Sequence, residues 1–160
     1  MTILIGKATT DDIPDILASA DALVATDAWV YDAAATNLEW AGQTGIAYCT
    51  SLLASDDNLV LLARDGDELA GHLVGRLSGP GSVHPIRVVD LESIHVYPAH
   101  RGHGVGEQLM SGFLAWAAEK GAERATVTAY AANDGAQRFY ARHGFAVKSV
   151  ILDLDALPRQ

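Results

Sequence analysis

Residues 91–106 read LESIHVYPAHRGHGVG, and this stretch decides how the chain folds around it. Its first half has the composition of a β-strand, which Pro98 ends because proline cannot donate to a strand ladder. The glycine-rich loop 101–106 follows, and beyond it apolar residues recur at helical spacing up to about residue 120. Glycines let a backbone approach a ligand closely, and the first turn of a helix presents unpaired N–H groups at its positive end. We therefore predict a strand, a loop and a helix that cradle a pyrophosphate.

Two commoner glycine motifs do not fit the loop. A dinucleotide-binding fingerprint that began at Gly102 would need glycine where Glu107 stands. No Gly-Lys-Ser or Gly-Lys-Thr follows, as a nucleotide-binding P-loop would require. The remaining alternative is a flexible connection between a strand and a helix that binds nothing.

The rest of the chain alternates between strands and helices. A turn at Asp65-Gly66-Asp67 predicts a hairpin between the second and third strands, and Gly79-Pro80-Gly81 breaks the chain before the fourth. Mixed elements in this order predict an α/β domain of two or three layers, with at least one crossover that joins parallel strands. The predicted strands are 2–7, 58–64, 68–78, 87–97, 124–129 and 145–154. The first predicted helix begins near residue 10, and the other three cover 36–54, 104–120 and 134–143.

The strand before the loop changes its phase of polar and apolar residues. Asp90 and Glu92 are polar at even positions, yet the apolar Ile94 and Val96 also fall at even positions. Such a switch predicts a β-bulge, in which one extra residue moves the side chains that follow to the opposite faces of the sheet. A central strand that is buried on both faces would give the same pattern.

Length and composition predict one domain over residues 1–160. The chain has 49% hydrophobic residues, which suffices for one substantial core and is too little for two ordinary domains. No run of about 18 apolar residues could span a membrane, and no basic and then hydrophobic leader opens the sequence, so we expect a cytoplasmic protein. Cys49 is the single cysteine, which excludes an internal disulfide, and its apolar neighbours predict a buried thiol.

The net charge of −9 makes nucleic acid and anionic membranes poor partners. The acidic residues are unevenly placed, because nine carboxylates face only Lys7 in the first 60 residues, whereas most basic residues come later. This asymmetry predicts two halves with different ligands, unless the acidic residues merely form a solvated face.

Two segments resemble the motifs of a known family. Residues 91–106 look like motif A of the GCN5-related N-acetyltransferases (GNAT), whose loop has Arg or Gln, two residues, Gly, one residue, and Gly or Ala. Residues 133–145 resemble motif B, with an Asn, an Ala three positions on, a Phe-Tyr pair and a closing Gly-Phe. The resemblance is close over about residues 88–154. It implies a mixed, mostly antiparallel sheet of about six to seven strands with about four helices, in which one central strand splays from its neighbour.

The resemblance also implies acetyl-CoA as co-substrate and assigns residues to it. Tyr140 would protonate the departing thiolate, although it could instead be a packed aromatic residue. Glu92 would take a proton from the amine, although it could belong to a structural polar pair. The implied cofactor-binding residues are Ile94, His95, Val96, Arg101, Gly102, His103, Gly104, Val105, Gly106, Asn133, Ala136, Phe139 and Tyr140.

The implied function is N-acetyl transfer to a primary amine by direct attack in a ternary complex. The acidic first half favours a small cationic acceptor. A protein N-terminus or lysine as acceptor, and a non-catalytic acyl-CoA-binding domain, remain alternatives. We expect no bound metal, because His100 and His103 lack a further ligand at a familiar spacing, and a homodimer is left open.

Overall fold

The computed structural model describes residues 1–156 and contains a five-stranded sheet in which every strand neighbours the next in sequence. The first four strands run antiparallel, and β5 pairs parallel to β4 after a helical crossover. The mixed, mostly antiparallel architecture is as expected, with fewer strands than the six to seven predicted. The strands are β1 (Ile3–Lys7), β2 (Asn58–Asp65), β3 (Glu68–Ser78), β4 (Val88–Val96) and β5 (Arg124–Val127).

In residues 1–156, four α-helices longer than one turn accompany the sheet, and two of them are preceded or followed by π-helical turns. The predicted helix 36–54 is shorter than expected, because the regular helix starts only after the turn Ala41–Gly45. A Cβ on Gly45 would lie 2.4 Å from Leu17 Cδ1, so a larger residue there would force the Leu17 side chain of the first helix to move. The helices are α1 (Ile13–Leu23), α2 (Ile46–Leu53), α3 (Val105–Glu119) and α4 (Asp134–Arg142).

The sheet is covered on both faces over residues 1–128. On the face of α1 and α2, a cluster that includes Ile16, Leu52 and Val74 is fully buried. On the other face, a Cβ on Gly75 would lie 2.9 Å from Phe113 of α3, so the sheet and this helix are in direct contact there. Cys49 is a buried free thiol in the first cluster, as predicted.

The predicted strand 145–154 is wrong, since these residues form no strand in the structure. Their alternating β-branched and apolar side chains fit a strand, but a strand also needs a partner for its backbone groups. Here the apolar side chains are exposed instead, with Ile151 at 85% and Leu152 at 90%. Local pattern does not specify a hydrogen-bond partner.

The chain divides into two compact units, Met1–Thr128 and Ala129–Gln160. The first holds all five strands with α1 to α3, and the described part of the second holds α4 and the segment after it. Among the described helices, none combines the length and the hydropathy that a membrane span requires.

Candidate active site

The predicted bulge lies in β4 at Glu92. The register places Ser93 opposite Val74 and Leu91 opposite Gly75, so Glu92 is the extra residue between them. In a regular strand, neighbouring residues point to opposite faces. Here the side chains of both Glu92 and Ser93 reach residues on the face of α1 and α2. The sequence pattern predicted the bulge correctly, and the structure adds that the bulge places these two side chains together.

The sheet opens between β4 and β5 just beyond the bulge. The parallel ladder ends at the pair Leu91 and Val127, whereas β4 stays paired to β3 as far as Val96. In the described part of the chain, the segment 93–96 therefore has no β5 partner on its outer edge. This is the expected splayed strand, and it leaves backbone N–H and C=O groups available to a ligand. Ile94, His95 and Val96 lie on this free edge.

Two side chains hold the Glu92 carboxylate. Tyr48 of α2 donates its hydroxyl to Oε2 at 2.5 Å, and Arg76 of β3 donates Nε–H to Oε1 at 2.7 Å. Burial and the bond to Glu92 raise the pKa of Tyr48 above its usual range, so its phenol stays a neutral donor. The Glu92 side chain is 30% exposed, and a carboxylate has more lone pairs than these two bonds use. The arrangement suits a fixed carboxylate that can still accept a proton through water.

Tyr48 is a site residue that the sequence did not reveal. Tyr48 lies with Trp29, Tyr31 and Trp40 in the helical region between β1 and β2. The structure packs its ring edge-on against Trp40, with 5.8 Å between ring centroids. No sequence signal links Tyr48 to Glu92, because they are 44 positions apart and their contact depends on how α2 packs on the sheet.

The glycine loop has the geometry of a ligand cradle. Gly102 and Gly104 have φ values of +76° and +78°, which side chains rarely adopt, and a Cβ at either would meet no atom within 4 Å. Helix α3 begins directly after Gly104, so its first N–H groups open toward this space. Arg101 donates Nε–H to Val96 O at 2.9 Å and ties the loop to the end of β4. These features are compatible with the binding of a pyrophosphate, and the assignment of this loop to acetyl-CoA stays a prediction.

The histidines around the loop differ in their surroundings. His95 is 5% exposed, and its Nε2 has no hydrogen-bond partner among the described residues. His100 is also buried, with Nε2 at 3.9 Å from carboxylate oxygens of both Asp65 and Glu68 in the hairpin turn. His103 is exposed. Among residues 1–156, no group of three His, Cys, Asp or Glu side chains is arranged to hold a metal ion. The expectation that the protein binds no metal stays a prediction.

Acid should destabilise the first unit through its buried histidines. Burial lowers the pKa of His72 to about 3 and of His95 to about 4, from 6.5. The unfolded chain therefore binds more protons below pH 6.5, so stability should fall from there toward pH 4. The slope is about 1.4 kcal/mol per pH unit for each fully responsive histidine. Urea unfolding at several pH values measures it, and a flat profile would contradict the burial of both rings.

The second unit carries the residues of motif B on α4. Asn133 caps the helix, because its Oδ1 accepts from Ala136 N at 3.1 Å. Capping gives this Asn a structural role, and its implied contact with the cofactor stays a prediction. Tyr140 is half-buried, and its ring packs edge-on against Phe139 and Phe145 at centroid distances of 5.5 and 5.9 Å. Both the packing role and the acid role of Tyr140 are compatible with this position.

The acidic residues of the first half do not all belong to one ligand site. Asp12 and Asp15 form ion pairs with Arg64 at 3.1 and 2.6 Å, and Asp12 also accepts from Thr9 N as a helix cap. Asp56 lines a cavity of about 460 Å³ at the far end of the sheet, where Lys7 and Lys120 also lie. That cavity contains no predicted site residue.

Two carboxylates and one cation occupy neighbouring positions of β3 and β4 around the bulge. Asp90 is the cross-strand partner of Arg76 and accepts from Thr126 Oγ1 at 2.8 Å. The Arg76 guanidinium is paired with the Glu92 carboxylate.

Comparison with known proteins identifies the family. The family model described as acetyltransferase (GNAT) family matches residues 26–145. An uncharacterised N-acetyltransferase of Mycobacterium tuberculosis is 39% identical over 61 residues, which cover 38% of this chain and 39% of that relative. The matched segment thus spans about two fifths of that relative's length.

Solved structures share the fold at low sequence identity. A transcriptional regulator from Bacillus halodurans C-125 has a TM-score of 0.78 and 21% identity, covering 97% of this chain and 100% of the other. An aminoglycoside N-acetyltransferase in complex with CoA has a TM-score of 0.76 and 18% identity, with 97% and 95% covered. The match of the family model over most of the sequence is decisive: the chain belongs to the acetyltransferase (GNAT) family.

Proposed function

We propose that this protein, as a single domain over residues 1–160, transfers an acetyl group from acetyl-CoA to the primary amine of a small cationic molecule. The observation that carries the proposal is the position of Glu92 on the bulge, where the sheet opens and two side chains hold its carboxylate. The glycine loop after the same strand supplies the anion-binding cradle. A base and a cofactor site are thus built into one strand-loop-helix segment.

In the proposed reaction, Glu92, Tyr140 and the backbone of β4 each have one task. Acetyl-CoA, when bound, supplies the thioester whose carbonyl carbon the amine attacks. Glu92 takes the proton that a charged amine must lose before it attacks, through a water molecule. Backbone N–H groups on the free edge of β4 offer hydrogen bonds to the carbonyl oxygen as its negative charge grows. Tyr140 gives its proton to the sulfur as the C–S bond breaks and regains one from the amine nitrogen, while the proton on Glu92 passes to solvent, so the products are the acetylated amine, free CoA and one proton.

The acceptor class follows from charge. The base Glu92 and the nearby Asp90 carry two negative charges against the single positive charge of Arg76, and a net negative site raises the local concentration of a cation and orients it. Solved structures that share this fold include an aminoglycoside acetyltransferase in complex with sisomicin. An amino sugar, a polyamine or an amino-acid derivative fits this description.

Release of free CoA tests the proposal directly. The purified protein is incubated with acetyl-CoA and a panel of polyamines, amino sugars, amino acids and a lysine peptide, and a thiol reagent reports CoA. We expect turnover with at least one small cationic amine. Binding of acetyl-CoA without any turnover would identify a non-catalytic binding domain. Turnover of the peptide alone would identify a protein acetyltransferase.

Glu92→Gln should remove the acidic limb of the pH profile of kcat/KM for the amine. A carboxylate base works only when ionised, and glutamine keeps the shape without the charge. Rates over a pH series measure the limb. Glu119→Gln at the exposed end of α3 is the matched control and should leave the profile unchanged. If Glu92→Gln kept the acidic limb of the wild-type pH profile, another group would take the proton.

Added salt should raise the apparent KM for the amine. Exposed charges are screened beyond about 8 Å at physiological ionic strength, so a site that attracts cations through Asp90 and Glu92 loses part of that attraction. Initial rates between low and high salt give the KM, with the affinity for acetyl-CoA followed in parallel as the internal control. A preference for neutral amines, without any salt response, would reduce the acidic residues to a solvated face.

A further inference from the structure

A buried hydrogen-bond chain runs from α1 through β3 to the bulge strand. His72 lies at its centre, is 0% exposed, and uses both ring nitrogens. Its Nδ1 lies 2.5 Å from Ser19 Oγ on α1, and its Nε2 lies 3.1 Å from Ser93 Oγ on β4. Ser19 is equally buried. Further polar groups lie beside this chain, since Tyr97 hydrogen-bonds Ser19 and the buried His95 ring is 6.3 Å from that of His72. Polar side chains are costly to bury unless they are hydrogen-bonded, and Ser19 and His72 meet that requirement through each other.

Burial also fixes the chemical state of the chain. It lowers the pKa of His72 to about 3, so the ring is neutral near pH 7 and has one N–H donor and one acceptor nitrogen. Each nitrogen faces a hydroxyl, which can donate or accept as required. The neutral ring is therefore fully satisfied and has one orientation, with α1 on one side and β4 on the other.

The chain ends one residue away from the base. Ser93 directly follows Glu92, and the bulge turns both side chains to the same face. Beyond Leu91 the strand has lost β5, so its backbone is paired on one side only among the described residues. The contact between His72 and Ser93 thus fixes the strand where the sheet gives it least support.

We propose that His72 is a positioning residue, which holds Ser93 and thereby fixes the bulge that aims Glu92 at the acceptor amine. The inference rests on the proposed function, because it assumes that Glu92 is the base. A displacement of about 1 Å at a reacting group is enough to lower a rate strongly. His72 itself touches neither the amine nor acetyl-CoA in this scheme, and Ser93 transmits its effect.

Two substitutions at His72 separate positioning from packing. The amide of Gln lies near the place of the histidine Nε2 and can still bond Ser93, whereas the amide of Asn lies near Nδ1 and bonds only Ser19. We expect His72→Gln to keep kcat within about threefold and His72→Asn to lower it about tenfold, with an unchanged Kd for acetyl-CoA. Equal losses in both variants would overturn the proposal.

The Glu92→Gln background makes the test specific. If His72 acts through Glu92, His72→Asn should lower kcat less than about twofold once the carboxylate is gone, because residues that act as one unit are not additive. A tenfold loss in both backgrounds would mean a general structural defect and would overturn the proposal.

A measurement without turnover keeps this inference distinct from the proposed function. The Glu92 carboxyl carbon is observed by 13C NMR of labelled protein and assigned by its absence in Glu92→Gln. We expect its resonance to shift in His72→Asn and in Ser93→Ala, and to stay in place in His72→Gln. If the variants showed these shifts but the wild type had no turnover, the proposed function would fail while the positioning role held. An unmoved resonance in all variants would overturn the positioning role.

Discussion

Gly104→Val is expected to abolish binding of acetyl-CoA, as measured by calorimetry on the folded variant. Gly104 has φ +78° at the start of α3, and no atom of the described chain lies within 4 Å of where a Cβ would stand. A branched side chain would therefore project into the space assigned to the pyrophosphate. It would also strain the left-handed backbone by about 1–2 kcal/mol and pull the first N–H groups of α3 out of place.

Gly121→Val is the matched control for that strain. Gly121 follows the other end of the same helix with φ +66°, and a Cβ there also meets nothing within 4 Å. Both variants should lose a similar amount of stability in thermal unfolding, since both force a branched residue into the same backbone region. Only the Gly104 variant should lose acetyl-CoA binding. Normal affinity in a folded Gly104→Val protein would show that the loop is not the pyrophosphate site.

Local sequence was sufficient to predict the part of the site that lies in one segment. The phase break around Glu92 predicted the bulge, and the glycines of residues 101–106 predicted a loop that a helix follows. These features depend on neighbours within a few positions. The hairpin at Asp65-Gly66-Asp67 was predictable for the same reason, since the turn residues fix the pairing of β2 with β3.

The partners of Glu92 were not predictable from the sequence. Tyr48 reaches Glu92 only after α2 has packed on the sheet, and Arg76 reaches it only once β3 has paired with the bulged β4. The chain through His72 is equally non-local, because Ser19 is 53 positions before it. The sequence around a single histidine on a strand does not tell whether its hydrogen bonds only stabilise the core or also position a neighbouring residue. Tertiary packing creates that distinction.

The error at residues 145–154 has the same physical origin. Alternation of apolar residues indicates that a segment can form a strand, but a strand also needs an available edge in a suitable register. The uneven distribution of charge shows a second limit of prediction from sequence. Nine carboxylates in the first 60 residues suggested that this part of the chain has its own cationic ligand, whereas Asp12 and Asp15 pair with Arg64 and Asp56 lines the distant cavity. Composition counts charges but does not place them.

Tyr140→Phe is expected to lower kcat about 100-fold, which corresponds to about 2.7 kcal/mol of transition-state stabilisation. The physical reason is the loss of a placed proton donor for the departing thiolate, which is otherwise left to take its proton from water. The ring itself is conserved, so its packing against Phe139 and Phe145 should persist and the variant should fold normally. The affinity for acetyl-CoA should therefore stay close to that of the wild type.

Tyr130→Phe is the matched control, because it removes a phenol hydroxyl from the same unit of the chain and should leave kcat unchanged. Steady-state rates at saturating amine, together with calorimetric affinities for acetyl-CoA, distinguish the two roles of Tyr140. A proton donor lowers kcat alone, because its contribution is made only in the transition state. A packing residue that merely shapes the cofactor site would raise the Kd for acetyl-CoA and leave kcat near normal. Unchanged turnover in Tyr140→Phe would assign the ring to packing and leave protonation of the thiolate to water.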